Sequence, residues 1–304
     1  MKGLSRRSWL QAAGVGTLGA GLFARRMAGA QGAGPDGTFS HGSHVMGAVG
    51  RVSTESFDPM AYLRAWNFTD LAPDRRSKFY RETARPDGSL LREYEIFAVD
   101  REIEIAPGVF FPAWTYNGQV PGPTYRCRQG DLLRVRFHNA SSMPHTIHFH
   151  GIHAARMDGI PGAGLVQPGE SFTYEFDALP FGCHLYHCHS LPLKRHIHKG
   201  LYGAFIVDPD PERHPLEREV AESRLLGSSA NQRWQEVVLV MNGFDTNFDD
   251  ENEFYAVNSI PFVYAEKGIR VERSRPLRVY LINVTEFDPI NSLHLHANFF
   301  NYFD

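Results

Sequence analysis

From residue 91 onward the chain consists of short runs rich in Val, Ile, Phe, Tyr and Thr, cut apart by Gly, Pro and Asn. The runs 93–99, 132–138, 146–151, 171–176, 182–187 and 203–207 are separated by turn signals such as Asn117-Gly118 and Pro121-Gly122-Pro123. No heptads, short-period repeats or long low-complexity tracts compete with that pattern. It predicts an antiparallel sandwich of about 110–120 residues. Asp208-Pro209-Asp210-Pro211 then breaks structure and opens a linker over 210–233, and a second set of strand-like runs follows at 234–241, 277–284 and 293–300. The 304 residues suit two domains, and 42% hydrophobic residues can fill two cores. The expected division is therefore 91–209 and 234–304. The second portion is too short for a full sandwich and is expected to lack its final strands. Residues 31–90 read as a polar, Gly-rich lead-in with one short helix near 59–66.

Residues 1–30 hold Lys2, Arg6, Arg7, Arg25 and Arg26 and no acid. Arg6-Arg7 precedes an apolar Gly/Ala-rich stretch, and Ala28-Gly29-Ala30 offers small residues for cleavage, so 1–30 reads as a twin-arginine signal. That stretch is short and glycine-rich for a membrane span of roughly 20 residues. The expected destination is the periplasm or the extracellular space, with no membrane association after cleavage. The formal charge is −3, but without residues 1–30 there remain 26 basic against 34 acidic residues. An acidic chain repels a phosphate backbone, which argues against nucleic-acid binding. Three cysteines leave at least one unpaired. Cys127 and Cys183 are expected to be buried, inert thiols, and Cys188 to carry chemistry.

Ten of the fifteen histidines fall into three clusters. In His145-Thr146-Ile147-His148-Phe149-His150-Gly151, strand alternation puts His148 and His150 on one face and His145 on the other. In His184-Leu185-Tyr186-His187-Cys188-His189, the same alternation turns His187 and His189 one way and Cys188 the other. Two imidazoles and one thiolate form a blue-copper donor set. Cys188 would thus serve one metal, while its covalently attached neighbours serve others.

These motifs resemble those of the multicopper oxidases. His148-Phe149-His150-Gly151 is similar to the HxHG signature, and His187-Cys188-His189 with His196-Ile197-His198-Lys199-Gly200-Leu201 to the HCH…HxxxG(M/L) signature. Asn291-Ser292-Leu293-His294-Leu295-His296 resembles HPxHxH, with Asn291 where the first His usually stands. The resemblance covers about residues 90–304. It implies two cupredoxin-like Greek-key β-sandwich domains, the second incomplete, and copper as cofactor.

Carried over, it implies a type 1 copper on His145, Cys188 and His196, with His198 as a competitor for His196. Leu201 falls where many members have the axial Met, which goes with a higher reduction potential. His148, His150, His187, His189, His294 and His296 would be six of the eight imidazoles of a type 2/type 3 trinuclear cluster. Asp158, in Met157-Asp158-Gly159, is placed either as a proton-supplying acid near the cluster or as a plain turn residue. The implied activity is a laccase-like oxidation of a phenolic or metal-ion reductant with four-electron reduction of O2. Two-domain members of this pattern are similar to copper nitrite reductases and small laccases, which assemble as homotrimers. In the nitrite reductases the residue after the copper-binding Cys is not His and an Asp stands at the middle of the first motif. Here those positions hold His189 and His148. A non-enzymatic copper or electron-transfer protein is the third possibility.

Overall fold

The computed structural model describes residues 80–224, 234–287, 291–296 and 298–303. The twin-arginine stretch and the helix expected near 59–66 lie outside the described residues. In chain order the strands are β1 (Tyr80–Ala84), β2 (Leu90–Ala106), β3 (Val109–Tyr116), β4 (Tyr125–Arg128), β5 (Leu132–Asn139), β6 (His148–Phe149), β7 (Ser171–Asp177), β8 (Gly182–His187), β9 (Tyr202–Asp208), β10 (Gln235–Phe244), β11 (Phe254–Val257), β12 (Ile260–Pro261) and β13 (Leu277–Asn283). Among the described residues the α-helices are α1 (Leu193–His198), α2 (Arg218–Arg224) and α3 (Val263–Glu266), all short.

One sheet runs β1-β2-β5-β7, with β3 also paired to β2, and a second runs β4-β9-β8-β6. Their facing side chains form a core of buried aromatic and branched residues that includes Tyr94, Tyr116, Tyr125, Phe137, Phe149, Tyr186 and Phe205. Alternation on β5 is strict: Leu133, Val135 and Phe137 are buried and the residues between them are not. β9 has no such alternation, because both of its faces are covered. Phe205 and Val207 enter the sandwich core, while Tyr202 and Ala204 face a second core.

That second core joins the sandwich to the sheet β12-β11-β10-β13. Ile103 and Ile105 of β2, Phe111 and Ala113 of β3, and Tyr202 and Ala204 of β9 pack there against Val240, Phe244, Ala256 and Ile282. Beside it, the Arg126 guanidinium donates to Asp208 and Glu236 at 2.7 Å each, joining β4 and β9 to β10.

Several expectations are corrected. β1 lies within the stretch read as a lead-in, because its sequence YRETA is mostly exposed and carries no apolar alternation. α2 occupies part of the expected linker. No strand forms among the described residues of 293–300, where Leu293, Leu295 and Phe300 are exposed and no neighbouring strand takes up their backbone bonds. Cys127 and Cys183 are both free, but only Cys127 is buried. They sit on opposite sides of β9, Cys127 opposite Val207 and Cys183 opposite Ile206. Two strand spacings of about 4.8 Å hold them too far apart for a disulfide.

Candidate metal centre

β8 delivers His187 at its last position, and the chain then loops through α1 to β9. The Cys188 N–H donates to the Leu201 carbonyl at 3.0 Å and the Leu201 N–H to the His196 carbonyl at 3.3 Å, closing that loop. His145 is fixed from the other side by reciprocal backbone bonds with Val166, 3.0 Å each. Gly200 permits the tight return at φ +114°, and a Cβ there would lie 2.4 Å from a Val120 methyl and 2.9 Å from the Trp114 carbonyl.

These elements bring three donor atoms together. Cys188 Sγ lies 3.3 Å from His196 Nδ1 and 3.8 Å from His145 Nδ1, and the two nitrogens are 3.1 Å apart. All three residues are buried, with exposures of 0–1%. Burial drives the His145 imidazole down to about 3 and His196 to about 4, so both rings stay neutral and each keeps one nitrogen lone pair. Burial also raises the Cys188 thiol, against hydrogen bonds from Ser190 and Thr146 that favour the thiolate. A neutral, dry set of two nitrogens and one sulfur suits a soft transition metal, whose charge would deprotonate the thiol. Leu201, wholly buried in the same core, offers no ligand atom.

Two further residues shape this group. Thr146 donates its N–H to Cys188 Sγ at 3.3 Å, and its hydroxyl, 3.8 Å from the sulfur, accepts the His189 N–H at 2.7 Å. Trp114 packs against both imidazoles, its ring centroid 5.2 Å from that of His145 and 4.7 Å from that of His196. Neither Thr146 nor Trp114 stands out in the sequence, because their partners are distant along the chain.

On the opposite face a second group forms. One nitrogen each of His148, His150 and His187 lie within 4.8 Å of one another. His150 Nε2 and His187 Nε2 are 3.1 Å apart, and the His189 ring packs, tilted, against His148 with centroids 4.6 Å apart. His187 Nδ1 donates to the Cys188 carbonyl at 2.8 Å, and His148 Nδ1 donates to the Asp158 carbonyl, also at 2.8 Å. A carbonyl only accepts, so both Nδ1 atoms carry their protons and both Nε2 atoms present lone pairs. The Asp158 carboxylate adds a contact of 3.2 Å to the same His148 nitrogen. Burial lowers all three imidazoles, His187 to about 4. The group is closed at His187 and open to solvent at His150.

The remaining histidines separate by contact. His198 packs against Phe287 with ring centroids 4.7 Å apart and stays out of the Cys188 group. His153, in contact with His148 at 5.9 Å, is held by the Phe149 carbonyl. His184 donates to the Pro180 carbonyl at 2.9 Å. His294 and His296 lie 6.0 Å apart by ring centroid, both exposed, and among the described residues they join neither group.

The family model described as multicopper oxidase matches residues 100–212. A crystal structure of a multicopper oxidase is 48% identical, with 82% of this chain and 79% of that chain covered and a TM-score of 0.67. The chain belongs to the multicopper oxidase family. This multicopper oxidase is also 35% identical over 123 residues to a copper-containing nitrite reductase of Neisseria meningitidis, covering 40% of this chain and 31% of the relative. It is 36% identical over 113 residues to laccase 1 of Metarhizium acridum, covering 36% of this chain and 18% of the relative. The chain thus spans less than a third of the length of these two relatives. Its architecture is cupredoxin-like, as the motifs implied. Among the described residues no helix is long and apolar enough to cross a membrane.

Proposed function

We propose that the protein is an oxidase coupling one-electron oxidation of a small reductant, a phenol or a metal ion, to four-electron reduction of O2 to water. The observation that carries this reading is the opposed placement around Cys188. Its sulfur lies with His145 and His196, while the histidines on either side of it lie with His148 and His150. On this reading His145, Cys188 and His196 hold a type 1 copper. His148, His150, His187, His189, His294 and His296 contribute to a type 2/type 3 trinuclear cluster. Bound copper supplies the single-electron exchange at the first centre and the oxygen chemistry at the second.

The chain's own residues set the conditions. Burial of His145 and His196 excludes water from the sulfur, and the buried Leu201 adds apolar bulk without a ligand atom, which would favour a high reduction potential for a copper held there. The Cys188 backbone, together with the His187 Nδ1–H bond to the Cys188 carbonyl, gives a short bonded connection between the two groups. Asp158 keeps the proton on His148 Nδ1 and turns Nε2 inward. Its half-exposed carboxylate also offers a way for protons to reach a reaction that consumes four of them. A homotrimer would bring His294 and His296 of one copy to the His148 group of the next, and a closed ring satisfies every such contact by symmetry. Export by the twin-arginine route follows from Arg6-Arg7 and the apolar stretch behind them.

The nitrite reductase reading draws on the Neisseria relative. Four clustered imidazoles, with His148 and His189 among them, favour the oxidase. Copper counting separates the readings: four ions per subunit for the oxidase, two for the reductase and one for an electron carrier. The wild-type protein should show an intense thiolate-to-copper band that Cys188→Ser abolishes. A band that survives the substitution would remove the basis of the proposal.

A further inference from the structure

The two imidazoles around Cys188 leave almost no surface of their own, with exposures of 0% for His145 and 1% for His196. A reductant in solution therefore cannot touch the ligand rings broadly. Among the described residues, the one aromatic side chain outside the ligand set that contacts either ring is Trp114, and it contacts both. Trp114 is partly exposed while its indole meets both ligand rings. Its backbone N–H donates to the Lys199 carbonyl at 2.8 Å, which fixes the strand to the ligand loop.

Two cations sit over that indole. The Arg195 guanidinium carbon is 6.0 Å from the ring centroid and Lys199 Nζ is 5.7 Å from it. Lys199 is also over Phe111 at 5.3 Å and Phe248 at 4.8 Å. Neither cation makes an ion pair among the described residues, whereas the neighbouring Lys194 is tied to Glu286 at 2.7 Å. Asp100, which accepts the Ser142 N–H, acts on Lys199 across space without pairing with it. Two cations without an ion pair among the described residues thus flank one partly buried ring. Such a local field concentrates anions and orients their approach.

Resting on the reading of His145, Cys188 and His196 as a copper site, we infer that Trp114 is the contact at which the reducing substrate delivers its electron, and that Arg195 and Lys199 select anionic aromatic donors there. A planar donor stacks against the exposed indole edge, its negative group between the guanidinium and the ammonium. The indole then bridges donor and ligand rings by electronic contact, without itself gaining or losing a proton.

The test is anaerobic rapid mixing of the copper-loaded full chain with two aromatic donors of matched potential. One donor is sulfonated and anionic and the other is a cationic amine, and the readout is bleaching of the thiolate-to-copper band. Arg195→Glu should slow the anionic donor about tenfold and leave the cationic donor as fast or faster, with the starting spectrum unchanged. Trp114→Leu should slow both donors at least about tenfold, and Trp114→Phe should restore much of the rate. Equal effects of Arg195→Glu on both donors, or none on either, would overturn the charge selection. Unchanged rates in Trp114→Leu with an intact band would overturn the entry role. Should Trp114→Leu fail to hold copper, Arg195→Glu, at an exposed position, still decides. A wild-type protein without the band fails the copper reading itself and takes this inference with it.

Discussion

Burial of neutral imidazoles sets the chemistry of single residues in this molecule. His145 at about 3 and His187 and His196 at about 4 all stand below the ordinary 6.5. Between those values and 6.5 the unfolded chain binds more protons than the folded one, so metal-free stability rises with pH through this window. It is fully present above about 6.5 and is lost as the pH falls toward 4. The expected loss is on the order of several kcal/mol, read as a falling denaturant midpoint of the metal-free protein between pH 7 and 4. A midpoint flat across that range would contradict it. The opposed placement of Cys188 and its neighbouring histidines is legible in the sequence because alternation is a property of neighbours. The choice of His196 over His198 rests on spacing to Gly200-Leu201, and α1 turns the two rings toward different surroundings, Cys188 for one and Phe287 for the other. Thr146 and Trp114 are not legible. Thr146 meets the sulfur across 42 residues, a closure that no local pattern announces.

At the scale of elements, strands with a clear pattern or a continuous apolar run, such as β5, β7 and β9, stand out in the sequence. Those that do not are hidden for physical reasons. β1 is an exposed edge without alternation, β4 and β12 are only four and two residues long, and the described residues of 293–300 form no strand despite their alternating sequence. The loop from α1 into β9 depends on Gly200, whose φ of +114° and contacts at 2.4 and 2.9 Å leave no room for a side chain. Gly200→Ala should cost about 2 kcal/mol or more, because a backbone carbonyl cannot yield as a side-chain tip can. Denaturant unfolding measures the cost. A weakened or shifted copper band is expected alongside, since the same loop carries His196.

For the molecule as a whole, the sandwich and the C-terminal sheet share a core that the sequence does not reveal. β2, β3 and β9 each serve two cores at once, and the second is visible only as residues that break the expected alternation. Phe244 is 1% exposed and packs its ring 4.9 Å from that of Phe111 across this junction. Phe244→Ala should cost about 3–5 kcal/mol in denaturant unfolding of the full chain, while the copper band in native buffer stays unchanged. A bleached band would mean that the junction also sets the geometry of the ligands.

The reversal of direction at Cys188 has one more consequence. Successive Cα atoms are about 3.8 Å apart, and no substitution alters that step. The interval between the sulfur's chamber and the imidazoles' chamber is therefore a constant of the polypeptide. Mutation can retune either chamber by exchanging side chains, but a single inserted or deleted residue ahead of Cys188 would trade the occupants of both at once. Both chambers must therefore change by replacement within a frozen frame.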